Sequence, residues 1–541
     1  MRKTLLLFIS FLFFGTVLFA QKVITGKVTD TNGLPLAGVS VKSKKTGKGI
    51  ITSADGTYRL SVPENDELEI TMVGYLGQTI KTDGSGSMDV KLVLDNIELG
   101  QVVLVGTRSA GRVKTQTPVP VDVVNVAQAS MPTARMDLTS ILNFSAPSFN
   151  YNKQSGSDGA DHIDLATLRG LGPDQTLVLI NGKRRHQTAF VAVFGTRGRG
   201  NSGTDLNALP ASAIDRVEIL RDGASAQYGS DAIAGVINLV LRKNTDKVNI
   251  NAGWAAYYDP KFNTAFGSSD LKTQYESSKK SDGRTFSGNL NFGVALGKKG
   301  GFLNMTLDGV TTNKTFRQAL KTDNYITDDE AMYINIYRRG HGDASLDMVG
   351  TFINSEVPLS DKTSFYAFAG YNHKSSDAFA FTRNFSARPG RFPTDAMGGL
   401  IFIPSIMKVS SDGETYYSPH IQTKVNDVSA TGGVKGVMGK KWNWDLSNTF
   451  GRNNFHFYGD KTFNASVGPY QKHFDDGGFS FNQNTTNLNV SKQLTKTWNL
   501  GLGLEFRHEN VRGLAKYGNR CWSSPEQMLI EKLLMKITTK S

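Results

Sequence analysis

Cysteine is nearly missing from this chain. Its 541 residues contain one, Cys521, which excludes a disulfide framework and a thiolate metal site. Long apolar runs are missing too. Beyond the N-terminal segment no stretch is apolar for long enough to cross a membrane as a helix. Histidine is scarce, at eight residues, and no two form an H-x-x-x-H pair. No Ser/His/Asp arrangement has local support, so an enzyme is not expected and no cofactor is implied. One G-x-G-x-x-G occurs, Gly198 to Gly203, but it does not link a strand to an amphipathic helix, which excludes a dinucleotide site. No repeat of fixed period is found, so a solenoid is excluded.

What is present is export and alternation. Arg2 and Lys3 precede the apolar run Leu5 to Phe14, and Ala20 stands before Gln21. This pattern predicts a signal peptide over 1–20 and a mature chain outside the cytoplasm. The net charge is +13, but the basic residues are dispersed, which speaks against nucleic acid. Lipopolysaccharide or an anionic ligand is the more natural partner. Glycine is abundant, at 56 residues. From Lys247 onward, apolar and polar residues alternate. Val248, Ile250, Ala252 and Trp254 share one face, opposite Asn249 and Asn251. Phe286, Leu290, Phe292 and Val294 oppose Asn289 and Asn291. Leu303, Met305 and Leu307 oppose Asn304, Thr306 and Asp308. Period 2 over ~10 residues suits a transmembrane β-strand. Connections alternate in length: short near 297–301, 360–362, 439–440 and 495–497, long over 259–282, 313–346, 376–422 and 458–483. That alternation is expected of outer-membrane barrels, and it predicts about nine strands before residue 512.

Residues 21–95 read as a separate β-sandwich of about seven short strands. GKVTDTNGLPLAGVSV with TSADGTYRL resembles the carboxypeptidase-regulatory-like domain. No zinc-binding His-x-x-Glu accompanies it, so no peptidase is implied.

LRGLGPDQTLVLINGKRR (Leu168 to Arg185) and IDRVEILRDGASAQYGSDAIAGVINLVLRK (Ile214 to Lys243) resemble, in order, the plug domain of TonB-dependent outer-membrane receptors. A sandwich ahead of the plug resembles the Bacteroidetes type of that family. The expected fold is mainly β: an N-terminal β-sandwich, an α+β plug over 118–244, and a partial transmembrane antiparallel β-barrel over 245–515. Within the plug, Asp137 to Leu142 suggests a short helix. Thr176 to Ile180 and Arg216 to Leu220 suggest buried strands. Gly182 and Gly223 occupy expected φ > 0 turns. In the linker 96–117, LGQVVLVGTRS resembles a TonB box. Its expected partner-binding residues are Leu99, Gln101, Val102, Val103, Leu104, Val105 and Gly106. A short extended segment can add to a partner's sheet through backbone hydrogen bonds. The bland alternative is one more edge strand.

The family closes barrels of about 22 strands. Nine would leave an open edge in lipid, where unsatisfied backbone is costly. After Gly518 the alternation stops, and Ser524-Pro525-Glu526-Gln527 caps an amphipathic helix, MLIEKLLMKI. The expectation is a frameshift or premature stop near 517–521, with 516–541 an aberrant tail. The alternatives are a natural short variant and a fragment of a split gene.

The resemblance implies that plug charges Arg169, Arg216 and Glu218 meet the barrel's inner wall. Ordinary surface charge is the alternative. The loop 183–205 carries Arg184, Arg185, His186, Arg197 and Arg199, a set suited to an anionic ligand through bidentate hydrogen bonds. The alternative is a solvated or wall-facing basic loop. Asp158, Asp161 and Asp164 suggest either a Ca²⁺ site or a polar plug loop, and the second is preferred. The function implied is TonB-dependent uptake of a ferric siderophore or other metal chelate. A SusC-like glycan importer and a truncated, non-transporting binding protein are the alternatives. The implied partners are TonB, the ligand and outer-membrane lipid.

Overall fold

Alternation along each N-terminal segment builds two small sheets with one shared core. In a computed structural model of the protein, the described residues are 21–31, 33–72, 75, 77–82, 86–93, 121–133, 136–193, 198–258, 281–297, 299–317, 340–386, 389–409, 413–439, 441–464, 470–495 and 498–514. The expected signal peptide, the TonB box from Leu99 to Gly106, Arg197 and the terminal helix lie outside them. The chain divides into two compact units.

The first unit contains β1 Gln21–Thr29, β2 Ser40–Ser43, β3 Gly49–Ile51, β4 Thr57–Pro63, β5 Glu67–Thr71, β6 Gln78–Lys81 and β7 Val90–Lys91. They form sheets of order β4-β1-β7 and β3-β2-β5-β6. Every second residue of β4 (Tyr58, Leu60, Val62) is buried, and these pack with Ile24, Val28, Val41, Leu68 and Ile70. Seven strands with this pleat are the expected sandwich.

The second unit opens with the plug. Its five-stranded sheet holds β8 Val121–Asn125, β9 Thr176–Ile180, β10 Lys183–Arg184, β11 Ile214–Leu220 and β12 Gly235–Leu241, in the order β10-β9-β12-β11-β8. β9 and β12 run parallel, and every residue of both is buried. A strand covered on both faces needs the unbroken apolar run that these segments supply. Helices α1 (Val126–Thr133) and α2 (Leu138–Ser145) precede the central strands. Asp137 caps α2, accepting the Ser140 amide at 2.9 Å. Gly182 has φ +79. Gly223 differs from expectation. It is not among the positive-φ residues, and its amide donates to Oδ1 of the adjacent Asp222 at 2.8 Å.

Nine antiparallel strands follow: β13 Asn249–Tyr258, β14 Ser281–Leu296, β15 Gly301–Thr312, β16 Ser345–Ser360, β17 Thr363–Phe379, β18 His420–Met438, β19 Trp442–Asp460, β20 Phe474–Gln493 and β21 Asn499–Leu514. Each pairs with the next in chain order. The shortest has 10 residues and the longest 20. Between β17 and β18 a small sheet (383–384, 408–409, 415–417) packs Phe392, Ile403, Met407 and Tyr417 with Phe463.

Burial in the large sheet is inverted relative to a water-soluble core. Asn291, Asn304, Thr306, Asn372, Lys374, Asn453 and Thr485 are buried, while Ile250, Phe286, Leu307, Leu446, Phe450, Leu504 and Phe506 are exposed. The polar face lies against the plug, and the apolar face points outward.

Candidate functional site

The tight turn at Asn181-Gly182 reverses the chain from buried β9 into β10 and delivers four basic residues to the polar face of the large sheet. Lys183 Nζ bonds Asp445 Oδ1 at 2.8 Å, and the Tyr366 hydroxyl donates to the same oxygen at 2.8 Å. Arg184 pairs with Asp231 within the plug, donates to the Tyr228 carbonyl at 2.8 Å, and has its Nε 3.3 Å from Glu505 on β21. Arg507 of β21 reaches the same Asp231 at 2.9 Å. Burial raises the Asp231 carboxyl, but the Arg184 and Arg507 charges outweigh it and hold it below the usual range.

Arg185 and His186 share one carboxylate. Arg185 Nη2 bonds Asp427 of β18, and His186 Nε2 lies 3.0 Å from Asp427 Oδ2. Asn453 of β19 donates to Asp427 at 2.9 Å and accepts the Ala189 amide at 2.9 Å. Arg185, His186 and Asp427 are each about 95% covered. Burial and the Arg185 charge lower the His186 pKa, favouring the neutral ring, while Asp427 opposes them. Beyond this cluster Phe190 stacks on Phe455, centroids 5.1 Å apart. A second buried bond runs the other way: Lys374 of β17 donates to plug residue Asp205 at 2.5 Å, with Asp164 4.0 Å away.

Of the two readings of the basic loop, this placement accords with the wall-facing one. Arg184, Arg185 and His186 do not face open space. They are buried against the sheet, because carboxylates at inward positions of β18 and β21 neutralise the charge. Arg199 is exposed. Arg169 is half exposed at φ +56, and its pair with Asp222 is loose at 3.9 Å. Arg216 bonds buried Glu218 at 2.9 Å, and Glu218 also accepts from Asn238 at 3.1 Å. The partners named here for Arg169, Arg216 and Glu218 belong to the plug. Among the described residues Lys183, Arg184 and Arg185 make charged contacts with the large sheet. The sequence carried one partial signal for them: Asp427 and Asp445 share the parity of Ser429, Thr431, Ser447 and Thr449, opposite Val428, Ala430, Leu446 and Phe450.

The three aspartates at 158–164 are not brought together. Asp161 accepts the amides of Gly156 and Ser157 at 2.8 and 2.9 Å. Asp164 accepts from Tyr151 and from Asn207. Burial pushes Asp161 up to about 7 and His162 down to about 3. Among the described residues, one group has carboxylate and imidazole donors within 4.8 Å of one another: Asp377, His420 and Asp460. Lys314 Nζ already contacts both Asp377 and His420, at 2.9 Å to the ring nitrogen, so an ammonium fills that position.

Residues 113–236 match the TonB-dependent Receptor Plug Domain, and residues 24–104 match the CarboxypepD_reg-like domain. The ferric enterobactin receptor PirA of Pseudomonas aeruginosa is 31% identical over 152 residues, 28% of this chain and 20% of that protein. The TonB-dependent receptor SusC of Bacteroides thetaiotaomicron is 28% identical over 255 residues, 45% of this chain and 23% of that protein. A crystal structure of a mutant ferric enterobactin receptor PfeA from Pseudomonas aeruginosa aligns with TM-score 0.48 and 13% identity, covering 73% of this chain and 50% of that one. The chain thus spans about a fifth of the length of the curated relatives named here. It carries the plug domain of TonB-dependent receptors behind a carboxypeptidase-regulatory-like domain, and its relatives are TonB-dependent receptors.

Proposed function

We propose that this chain serves energy-coupled uptake of a ferric siderophore across an outer membrane. The observation that carries the reading is the two-sided sheet: a polar face against the plug and an apolar face turned outward. That polarity suits lipid outside and a filled lumen inside. Aromatic residues at both ends support it. Trp498 is exposed beside the short connection before β21, and Tyr258 is exposed beside the long connection after β13. Aromatic girdles of this kind mark the two interfaces of a bilayer. Short connections then face the periplasm and long ones the exterior. TonB adds a strand to the segment Leu99 to Gly106 and pulls, and the proton gradient supplies the energy. The Lys183, Arg184 and Arg185 contacts are the bonds a pulled plug must break or carry. The exposed Arg199 remains a proposed ligand contact.

The test is uptake of iron-labelled ferric enterobactin by cells expressing this chain, with and without the proton gradient. Uptake that needs both the gradient and residues 99–106 supports the reading. Binding without uptake favours a non-transporting binding protein. A glycan importer is the second reading, favoured by the SusC similarity over nearly half of this chain. It predicts oligosaccharide uptake and no response to ferric chelates.

A further inference from the structure

We propose that the plug and the large sheet exchange ion-pair partners when the plug shifts, so that the shift strands no buried charge. This rests on the reading that a pulled plug moves against the sheet. Two ion pairs cross between them side by side. Arg185 of the plug bonds Asp427 of β18, and Lys374 of β17 bonds Asp205 of the plug at 2.5 Å. All four residues are buried. The two pairs run in opposite senses. The plug supplies one cation and one anion, and the sheet supplies one of each.

Each side also places its own two charges beside one another. In the sheet, Lys374 stands opposite Val425, and Asn372 stands opposite Asp427. Lys374 and Asp427 are therefore diagonal neighbours on the inward face, roughly 7–8 Å apart and within reach of a long side chain. Asp427 already acts electrostatically on Lys374. In the plug, the Thr188 amide donates to the Gly203 carbonyl at 2.8 Å, and the Thr204 hydroxyl donates to the His186 carbonyl at 3.3 Å. These two segments run in opposite directions. One step further along each come Arg185 and Asp205, both engaged with the sheet. Arg185 has capacity to spare, since its Nε and Nη1 have no hydrogen-bond partner among the described residues. It can take up Asp205 before it releases Asp427. Asp164, the plug carboxylate 4.0 Å from Lys374, keeps its Tyr151 and Asn207 bonds inside the plug.

Burial is what gives this arrangement its effect. Separating a buried ion pair leaves an uncompensated charge on each partner, and that charge is the main cost. Here each side re-forms a pair within itself, Lys374 with Asp427 and Arg185 with Asp205. Two bonds across the interface become one bond on either side of it. The same charge pattern recurs at β21, where both arrangements are present together. Plug Arg184 pairs with plug Asp231, and Arg507 of β21 lies 3.3 Å from Glu509 of the same strand. Across the interface Arg507 reaches Asp231 at 2.9 Å, and Arg184 Nε lies 3.3 Å from Glu505. Partner sharing of the proposed kind is therefore already present between this plug and this sheet.

The test uses the full chain in zwitterionic micelles and a carbodiimide, which joins a lysine to a carboxylate in direct contact without adding a spacer. Links are identified by mass spectrometry across a urea series. Hydrogen exchange is followed in parallel over 176–186 of the plug and over β17 and β18. Where the plug has opened and both strands remain protected, the ratio of Lys374–Asp427 to Lys374–Asp205 links should rise about tenfold or more, because the freed charges pair instead of standing alone. The variant Arg185→Lys reports on the plug side and should trade a link to Asp427 for one to Asp205. Loss of the Lys374–Asp205 link with no gain of Lys374–Asp427 would mean that the freed charges go to water, and it overturns the proposal. So does a Lys374–Asp427 link that already predominates without urea. The underlying reading fails separately. If plug and strands open at the same urea concentration, the plug has no movement of its own, and the proposal falls with that reading. If the plug opens first and the links do not change partner, the exchange alone is refuted.

Discussion

The imidazole of His186 lies on the backbone of Gly451: a Cβ built on that glycine would stand 2.2 Å from Nδ1 and 2.5 Å from Cγ. No real side chain tolerates that distance, so the inward face of β19 is bare where the plug's ring must sit. Gly451→Val is expected to unseat His186 and Arg185 from Asp427 while leaving the strand ladder intact. Limited proteolysis within 183–205 should then become faster by an order of magnitude or more. Unchanged cleavage would show that the ring has another seat.

Asp427 faces two basic plug residues, and removing it strands a buried guanidinium. Asp427→Asn keeps the shape and deletes the charge. Breaking one side of a buried pair costs about 3–5 kcal/mol. Denaturant-dependent hydrogen exchange of 176–186 should reveal a loss of that order. A loss below about 1 kcal/mol would mean that Arg185 relaxes to water.

Asp161 makes plug stability depend on pH. Its folded pKa, about 7, lies above the ordinary carboxyl value, so the folded state holds the proton more tightly than the unfolded chain. Stability from this group is fully present below about pH 4 and is lost as pH rises to about 7. His162 works oppositely: its folded pKa is pushed down to about 3, so its contribution is lost as pH falls from about 6.5. Comparison with Asp161→Asn isolates the first effect. From pH 8 to pH 5 wild type should gain about 2 kcal/mol relative to the variant, at up to 1.36 kcal/mol per pKa unit. Parallel pH profiles would refute the assignment.

In the sandwich, Gly26 lets β1 approach the segment before β7. A Cβ there would lie 1.8 Å from the Met88 carbonyl oxygen, which also accepts the Tyr58 hydroxyl at 2.8 Å. Gly26→Ala should cost the sandwich about 1–3 kcal/mol by overpacking. Calorimetry should show its transition lowered and that of the second unit unmoved.

Local pattern made much of this architecture legible. Alternation from Val248 onward anticipates which residues of β13 to β15 point outward, because side chains alternate faces with period 2. Glycine-rich and charged breaks mark the short connections. The Asp137 cap announces α2. Less visible was the direction of the basic turn after Gly182. A run of Arg184, Arg185 and His186 reads equally as a ligand contact or a wall contact, because neither hydrophobicity nor spacing reports where a countercharge lies. Nor did the sequence signal the aromatic cluster of Phe392, Tyr417 and Phe463, which joins two long connections.

What the sequence determined by itself was local: strand polarity, turn positions, the cap, and the order of sandwich, plug and sheet. Tertiary structure alone decided the partners. Arg185 and Asp427 stand 242 positions apart, and Lys374 and Asp205 stand 169 apart. The register of nine consecutive strands brings each pair together, and a shift of one residue in any strand would turn its inward carboxylate or lysine outward. Countercharge in a buried site depends on that accumulated register. Pattern within a single segment does not contain it.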